Sequence, residues 1–169
     1  MAQTRVRVAV ETSFRRKMPA WLLRGWAERV LLLLGPPASL GLDVAVTDDT
    51  RLRELNRLYR GLDEETDVLA FPFQPEAVPA EYYGDTPPGL DMGGFVVPAG
   101  EQLLGEIVIA FPYAARQAEK AGHPVQDEVR LLLVHGILHL SGYDHMESDD
   151  ERVMWAKTNE ILEALGQQT

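Results

Sequence analysis

Hydrophobic and polar positions alternate with period two over residues 5–11, R-V-R-V-A-V-E, which predicts an opening strand with one buried face. From Met18-Pro19 the period lengthens. Trp21, Leu22, Trp26, Val30 and Leu33 recur at helical spacing until Gly35-Pro36-Pro37 ends the run. Residues 42–46 read as a second short strand, and Thr47-Asp48-Asp49 supplies capping oxygens for a helix over 50–59. On that helix Leu52, Leu55 and Tyr59 share the side suited to a core, whereas Arg53, Arg57 and Arg60 form a basic stripe. Residues 66–71 predict a third strand stopped by Pro72, with Asp67 as a strand-end residue making a structural hydrogen bond. Residues 104–111, with Gly105 and Glu106 inside, predict a fourth strand. A helix over 112–122 and an apolar one from 125 follow. A last amphipathic helix over 149–165 sets Val153, Met154, Ile161, Leu162 and Leu165 toward the core.

Between the third and fourth strands, residues 73–103 hold five prolines and five glycines and show little periodicity. A stretch of that kind in a compact domain is a functional flap or is disordered, and a long flexible loop is expected here. The order of elements predicts an α/β (α+β) fold. A small mixed, mostly parallel four-stranded sheet would be packed with about five helices. One domain over residues 1–169 accommodates all of it, without internal repeats.

Composition changes this picture in three ways. The net charge of −10 argues against a general nucleic-acid binder, which is usually basic. The charge is uneven, however: residues 1–30 carry seven basic side chains against two acidic ones, a local +5, so the remainder carries −15. That asymmetry fits a basic surface on an acidic body and equally a solvated face. The absence of cysteine excludes disulfides and thiolate ligands, so any metal must be held by His, Asp or Glu. Near the N-terminus the longest apolar run, residues 30–34, is too short to span a bilayer, and no signal-peptide layout precedes it. A cytoplasmic protein without a membrane partner is expected.

Three of the four histidines fall within residues 135–145, H-G-I-L-H-L-S-G-Y-D-H. His135 and His139 are one helical turn apart, so both imidazoles lie on one face. Pro124 stands where a first helical residue would, and Gly142 reads as a left-handed stop after which the chain can bring His145 back to the pair. Three converging imidazoles with an open position are the donor set of a catalytic zinc, one Zn2+ per chain. A closed structural site would need Asp144, Glu147, Asp149 or the distant His123 as fourth ligand. Gly136 occupies the position where an H-E-x-x-H peptidase carries its general base, which argues against peptide hydrolysis.

The run H-G-x-L-H-L-x-G-Y-D-H resembles the signature of the YbeY family of bacterial metal-dependent endoribonucleases, which act in ribosomal RNA maturation. The resemblance extends to Leu55-Asn56-x-x-Tyr59-Arg60-Gly61, to residues 66–72 (T-D-V-L-A-F-P) and to residues 105–109 (G-E-I-V-I). It covers most of the chain beyond residue 50, while residues 73–103 are longer than the family's usual connection. The resemblance implies His135, His139 and His145 as zinc ligands. It also implies Arg60, in Y-R-G, as the active-site arginine, whose planar fork suits a phosphate. His135, His139 and Arg60 are thus the expected catalytic set. The fourth strand would lie at the sheet edge beside the metal helix, bordering an extended substrate.

The function implied is single-strand-specific cleavage in 16S rRNA 3′-end processing, rRNA maturation and ribosome quality control. Single-stranded and ribosomal RNA, ribosomal proteins and other ribosome-associated factors are the implied partners, and DNA is not. Two other readings stand beside it. One is a zinc metallohydrolase of a non-RNA substrate. The other is a non-enzymatic ribosome assembly factor with a structural metal. Asp144 reads either as a partner orienting a ligand imidazole or as a turn cap, Tyr143 as a packing residue, and His123 as a surface or cap residue.

Overall fold

The alternating N-terminal segment forms β1 (Arg5–Val10), with Val6 and Val10 buried. A one-turn 3-10 helix over Thr12–Phe14, which no periodicity announces, leads into α1 (Ala20–Leu34). Then follow β2 (Leu40–Thr47), α2 (Asp49–Arg60), β3 (Val68–Pro72), β4 (Gln102–Ala110), α3 (Phe111–Ala121), α4 (Val125–Leu140) and α5 (Ser148–Gly166). The computed structural model describes residues 5–35, 40–72, 102–143 and 148–166. Residues 73–101 of the expected loop therefore lie outside the described residues, and its last two positions, Gln102 and Leu103, belong to β4. No helix among the described residues is long and apolar enough to cross a membrane.

The four strands form one sheet in the order β1-β2-β4-β3. β1, β2 and β4 run parallel, and β3 is antiparallel to β4, so the sheet is mixed and mostly parallel as expected. The expectation that the fourth strand forms the edge is corrected. β3 hydrogen-bonds along the second side of β4, and β3 is the edge beside the helix that carries the histidines.

Successive side chains of a strand point to opposite faces, and both faces are used. Leu42, Val44, Val46, Ile107 and Ile109 form one core with α1 and α4, in which Leu23, Val30, Leu133 and Ile137 are fully buried. On the other face Ala45, Val108, Ala110 and Leu69 meet Leu52 and Leu55 of α2. α4 is the central helix of the first layer, packed against α1, α3, α5, β3 and β4.

Helix phases differ in places from the spacing read in sequence. The buried stripe of α1 is Leu23, Ala27, Val30 and Leu31. Trp21 is 69% exposed and Leu33 39%, each two residues, or about 200° around the axis, from a buried leucine. Tyr59 of α2 is exposed and leans on Phe71, with ring centres 5.0 Å apart. In α5 Met154, Thr158 and Ile161 are buried, whereas Val153, one position round the helix from Met154, is exposed.

Candidate active site

α4 presents His135 and His139 together because residues four apart lie one above the other on a helix. Their Nε2 atoms are 3.1 Å apart, and the rings meet edge to face with centres 4.6 Å apart. Both imidazoles are half-buried, in a helix that buries Val129, Leu132, Leu133, Val134, Ile137 and Leu138. Gly136 brings this helix close to the sheet. A Cβ there would lie 3.0–3.1 Å from three atoms of Ile107 on β4. The position that carries the base in an H-E-x-x-H peptidase is thus pressed against the sheet.

The end of α4 follows the expected glycine stop. Gly142 takes a φ of 96°, its amide donates to the His139 carbonyl, and the Tyr143 amide donates to that of Leu138. These two bonds are the paired closure of a Schellman turn. Tyr143 packs partly buried against the core, as expected of it. Pro124 proves to be the N-cap, in extended conformation, with Val125 as the first helical residue. His145 and Asp144 lie outside the described residues. Among the described residues no group of three or more His, Cys, Asp or Glu side chains is placed to hold a metal ion.

The histidine pair opens into a cleft of about 330 Å³. α4 contributes His135, Gly136, His139 and Leu140 to its wall, β3 and the residues before it contribute Thr66, Asp67, Val68, Ala70 and Pro72, and α2 contributes Arg60. Far apart in sequence, Arg60 and the two histidines thus line one cavity. Arg60 is the last residue of α2 and exposed. Of the other two arginines in the stripe, Arg53 is bound to Asp63 at 2.8 Å and Arg57 is exposed, so the stripe divides between cleft and solvent. Asp67 acts as expected for a strand-end residue. Its carboxylate accepts the Val68 amide at 2.8 Å, and its carbonyl accepts that of Ala110.

Several positioning residues escaped the sequence reading. Asn56, buried in α2, donates from Nδ2 to the Glu64 carbonyl at 3.1 Å and fixes the segment that carries Thr66 and Asp67 to the cleft. Asp49 accepts the Tyr113 amide and the Arg116 guanidinium, joining the starts of α2 and α3. A buried asparagine in an otherwise apolar helical stripe was the available signal for the first; nothing local marked the second. Trp155 on α5 stands with its ring centre 6.4 Å from that of His135. His123 is engaged elsewhere: its Nε2 lies 3.2 Å from the Glu128 carboxylate in the first turn of α4. Burial raises the Glu128 carboxyl above its ordinary range, and His123 partly offsets this.

A row of charge crosses the sheet outside the cleft. Arg7 of β1 binds Asp43 of β2 through Nε at 2.8 Å, and Asp43 is the register partner of Glu106 on β4. Burial and the neighbouring Asp43 push Glu106 up to about 7, with Arg7 pulling the other way. Asp43 is also raised by burial, against the opposing effect of its bond to Arg7.

The family described as endoribonuclease YbeY matches residues 10–166. Relatives bearing that same description include one from Bacillus mycoides, 37% identical over 145 residues (86% of this chain and 85% of that protein). Another, from Aquifex aeolicus, is 39% identical over 137 residues, covering 81% of this chain and 77% of its own. A third, from Persephonella marina, is 41% identical over 123 residues, or 72% and 68% of the two chains. The solution structure of a Thermotoga maritima protein superimposes with a TM-score of 0.57 at 24% identity, covering 94% of this chain and 87% of that one, which supports the fold. A match over nearly the whole length, carried by relatives of this identity, makes the chain a member of the endoribonuclease YbeY family.

Proposed function

We propose that this protein is a zinc-dependent, single-strand-specific endoribonuclease that works on ribosomal RNA precursors in the cytoplasm, including the 3′ end of 16S rRNA. The observation that carries the reading is the shared cleft. A guanidinium and two convergent imidazoles line one cavity in a member of a family whose relatives are described as endoribonucleases.

The donor set fits zinc. Two nitrogens each about 2.0–2.1 Å from a tetrahedral ion lie about 3.3 Å from one another. The Nε2 atoms of His135 and His139 stand 3.1 Å apart, and His145 supplies the third imidazole by its place in the motif. When bound, zinc supplies Lewis acidity and a water acidified to a pKa of about 7.

The chain's own residues account for the rest. The Arg60 fork binds two phosphate oxygens of the scissile diester and stabilises the charge that grows there as the bond is cut. Its charge persists at any working pH. Gly136 leaves no carboxylate beside His135, and its contact with Ile107 leaves little room for one, which counts against a peptidase. Ribosomal proteins and other ribosome-bound factors are the proposed sources of site selection.

The test is cleavage of an end-labelled single-stranded ribosomal RNA fragment by zinc-loaded wild type, His139→Ala and Arg60→Ala, with zinc content measured on each. Wild type is expected to cut and to stop on chelation. His139→Ala should lose zinc and activity together. Arg60→Ala should keep zinc while its kcat/KM falls about 100-fold, as on loss of a charge-stabilising donor. Equal cutting by all three would trace the activity to a contaminant, and a zinc-loaded wild type unable to cut would overturn the proposal.

A further inference from the structure

Trp155 is not part of the cleft lining, yet its position is unusual for so large an apolar side chain. α5 buries Met154, Thr158 and Ile161. Trp155, about 100° round the axis from Met154, remains 47% exposed. It does not face open solvent at random, because its ring centre is 6.4 Å from that of His135, at an interplanar angle of 42°. α5 packs directly on α4, so the indole is carried on a helix fixed to the one that holds the imidazole pair. The site therefore combines a guanidinium and two imidazoles in the lining of one cleft with an exposed indole beside His135.

Proteins that hold single-stranded nucleic acid pair cationic contacts to the backbone with aromatic faces on which bases stack. We infer that Trp155 is the stacking platform for the base of a nucleotide adjacent to the scissile phosphodiester. The inference rests on the endoribonuclease reading above and adds a positioning residue to it. A base lying on the indole must leave its own stack and its pairing partner. Trp155 thereby gives a physical source for preference toward single strands. Any of the four bases can satisfy an indole face, so the contact selects an unpaired base without selecting its identity.

The test uses the full zinc-loaded chain as wild type, Trp155→Phe, Trp155→Leu and Trp155→Ala, with equal zinc content and melting temperature established first. Binding is followed on a 2′-O-methyl single-stranded oligonucleotide, which resists cleavage, by fluorescence anisotropy and by quenching of tryptophan emission. Turnover is followed on the matching RNA. Wild type should be quenched on binding, and Trp155→Phe, which keeps only Trp21 and Trp26 on α1, should bind with that quenching lost. Trp155→Leu and Trp155→Ala should bind about 10-fold more weakly, the scale of one base–aromatic contact. Their KM should rise to match, with kcat changed less than about twofold. An abasic residue at the stacked position should remove the difference between wild type and Trp155→Ala.

A side chain that only packs against His135 would be replaced well by leucine and would be indifferent to the abasic residue, and that result would overturn the inference. Quenching that survives in Trp155→Phe would overturn it too. The two proposals separate cleanly. Quenching and the abasic effect without cleavage by wild type would sink the ribonuclease reading and leave the stacking contact standing. Cleavage by wild type with unchanged Trp155 variants would do the reverse.

Discussion

Gly105 of β4 lies where β3 and α4 both come close to its backbone. It follows a break in register between β2 and β4, at which Leu104 is the extra residue of a bulge. A Cβ at Gly105 would overlap the Phe71 carbonyl oxygen of β3 and come within 2.8 Å of Leu140 on α4. Backbone cannot retreat as a flexible side chain can, so the glycine sets how near the edge strand and the end of the histidine helix can lie. Gly105→Ala is expected to destabilise the protein by about 1–3 kcal/mol, the range for overpacking a tight interior. Urea denaturation of the variant would measure it, and an unchanged midpoint would refute the argument. Because Leu140 lines the cleft and adjoins His139, the same variant should also weaken the proposed zinc site.

α2 shows how an element delivers a side chain. Its N-cap is Asp48, whose carboxylate accepts the Arg51 amide at 2.8 Å, and Asp49 ties the first turn to α3. Leu52 and Leu55 then fasten the middle to the sheet. From Asp49 the helix rises about 16 Å to its last residue, Arg60, at the cleft. The cap and the arginine lie at opposite ends, so their effects should separate. Asp48→Ala is expected to cost about 1 kcal/mol in thermal or urea melts, with kcat/KM for RNA unchanged at a temperature where both proteins are folded. A fall in kcat/KM without a fall in stability would show that the helix end is less firmly held than its packing implies.

For the whole molecule, the row Arg7–Asp43–Glu106 makes stability depend on pH. Glu106 has its folded pKa raised to about 7, so between its unfolded value and that point the native state binds more protons than the unfolded chain. Stability from this group is therefore full at low pH and is lost as pH rises through about 7. Glu106→Gln removes the penalty. It should stabilise the protein by about 1–2 kcal/mol at pH 8.5, after discounting for partial exposure, and by much less at pH 5. Urea melts of both proteins at the two pH values decide this, and an equal difference at each would contradict it. Arg7 and Arg15 are also occupied at this scale, by Asp43 and by the Val10 carbonyl. Two of the cations behind the basic N-terminal balance are thus spent on internal contacts.

Read alone, the sequence determined the elements and the local half of the site. Period-two and helical spacing, Asp48, Gly35 and Gly142 mark strands, helices and their ends because those preferences act over a few residues. The i, i+4 placement of His135 and His139 is equally local, so their convergence was legible before any fold. Tertiary structure alone decided the rest. Which side of α1 and α5 is buried depends on what lies opposite, so Trp21 and Val153 faced water despite their spacing. Strand order places β3 at the edge and β4 inside, because hydrogen bonding between strands is non-local. The meeting of Arg60 with the histidines, the closeness of Trp155 to His135, and the burial that raises Glu106 each require segments distant in the chain to be packed together. No pattern within one segment encodes those distances.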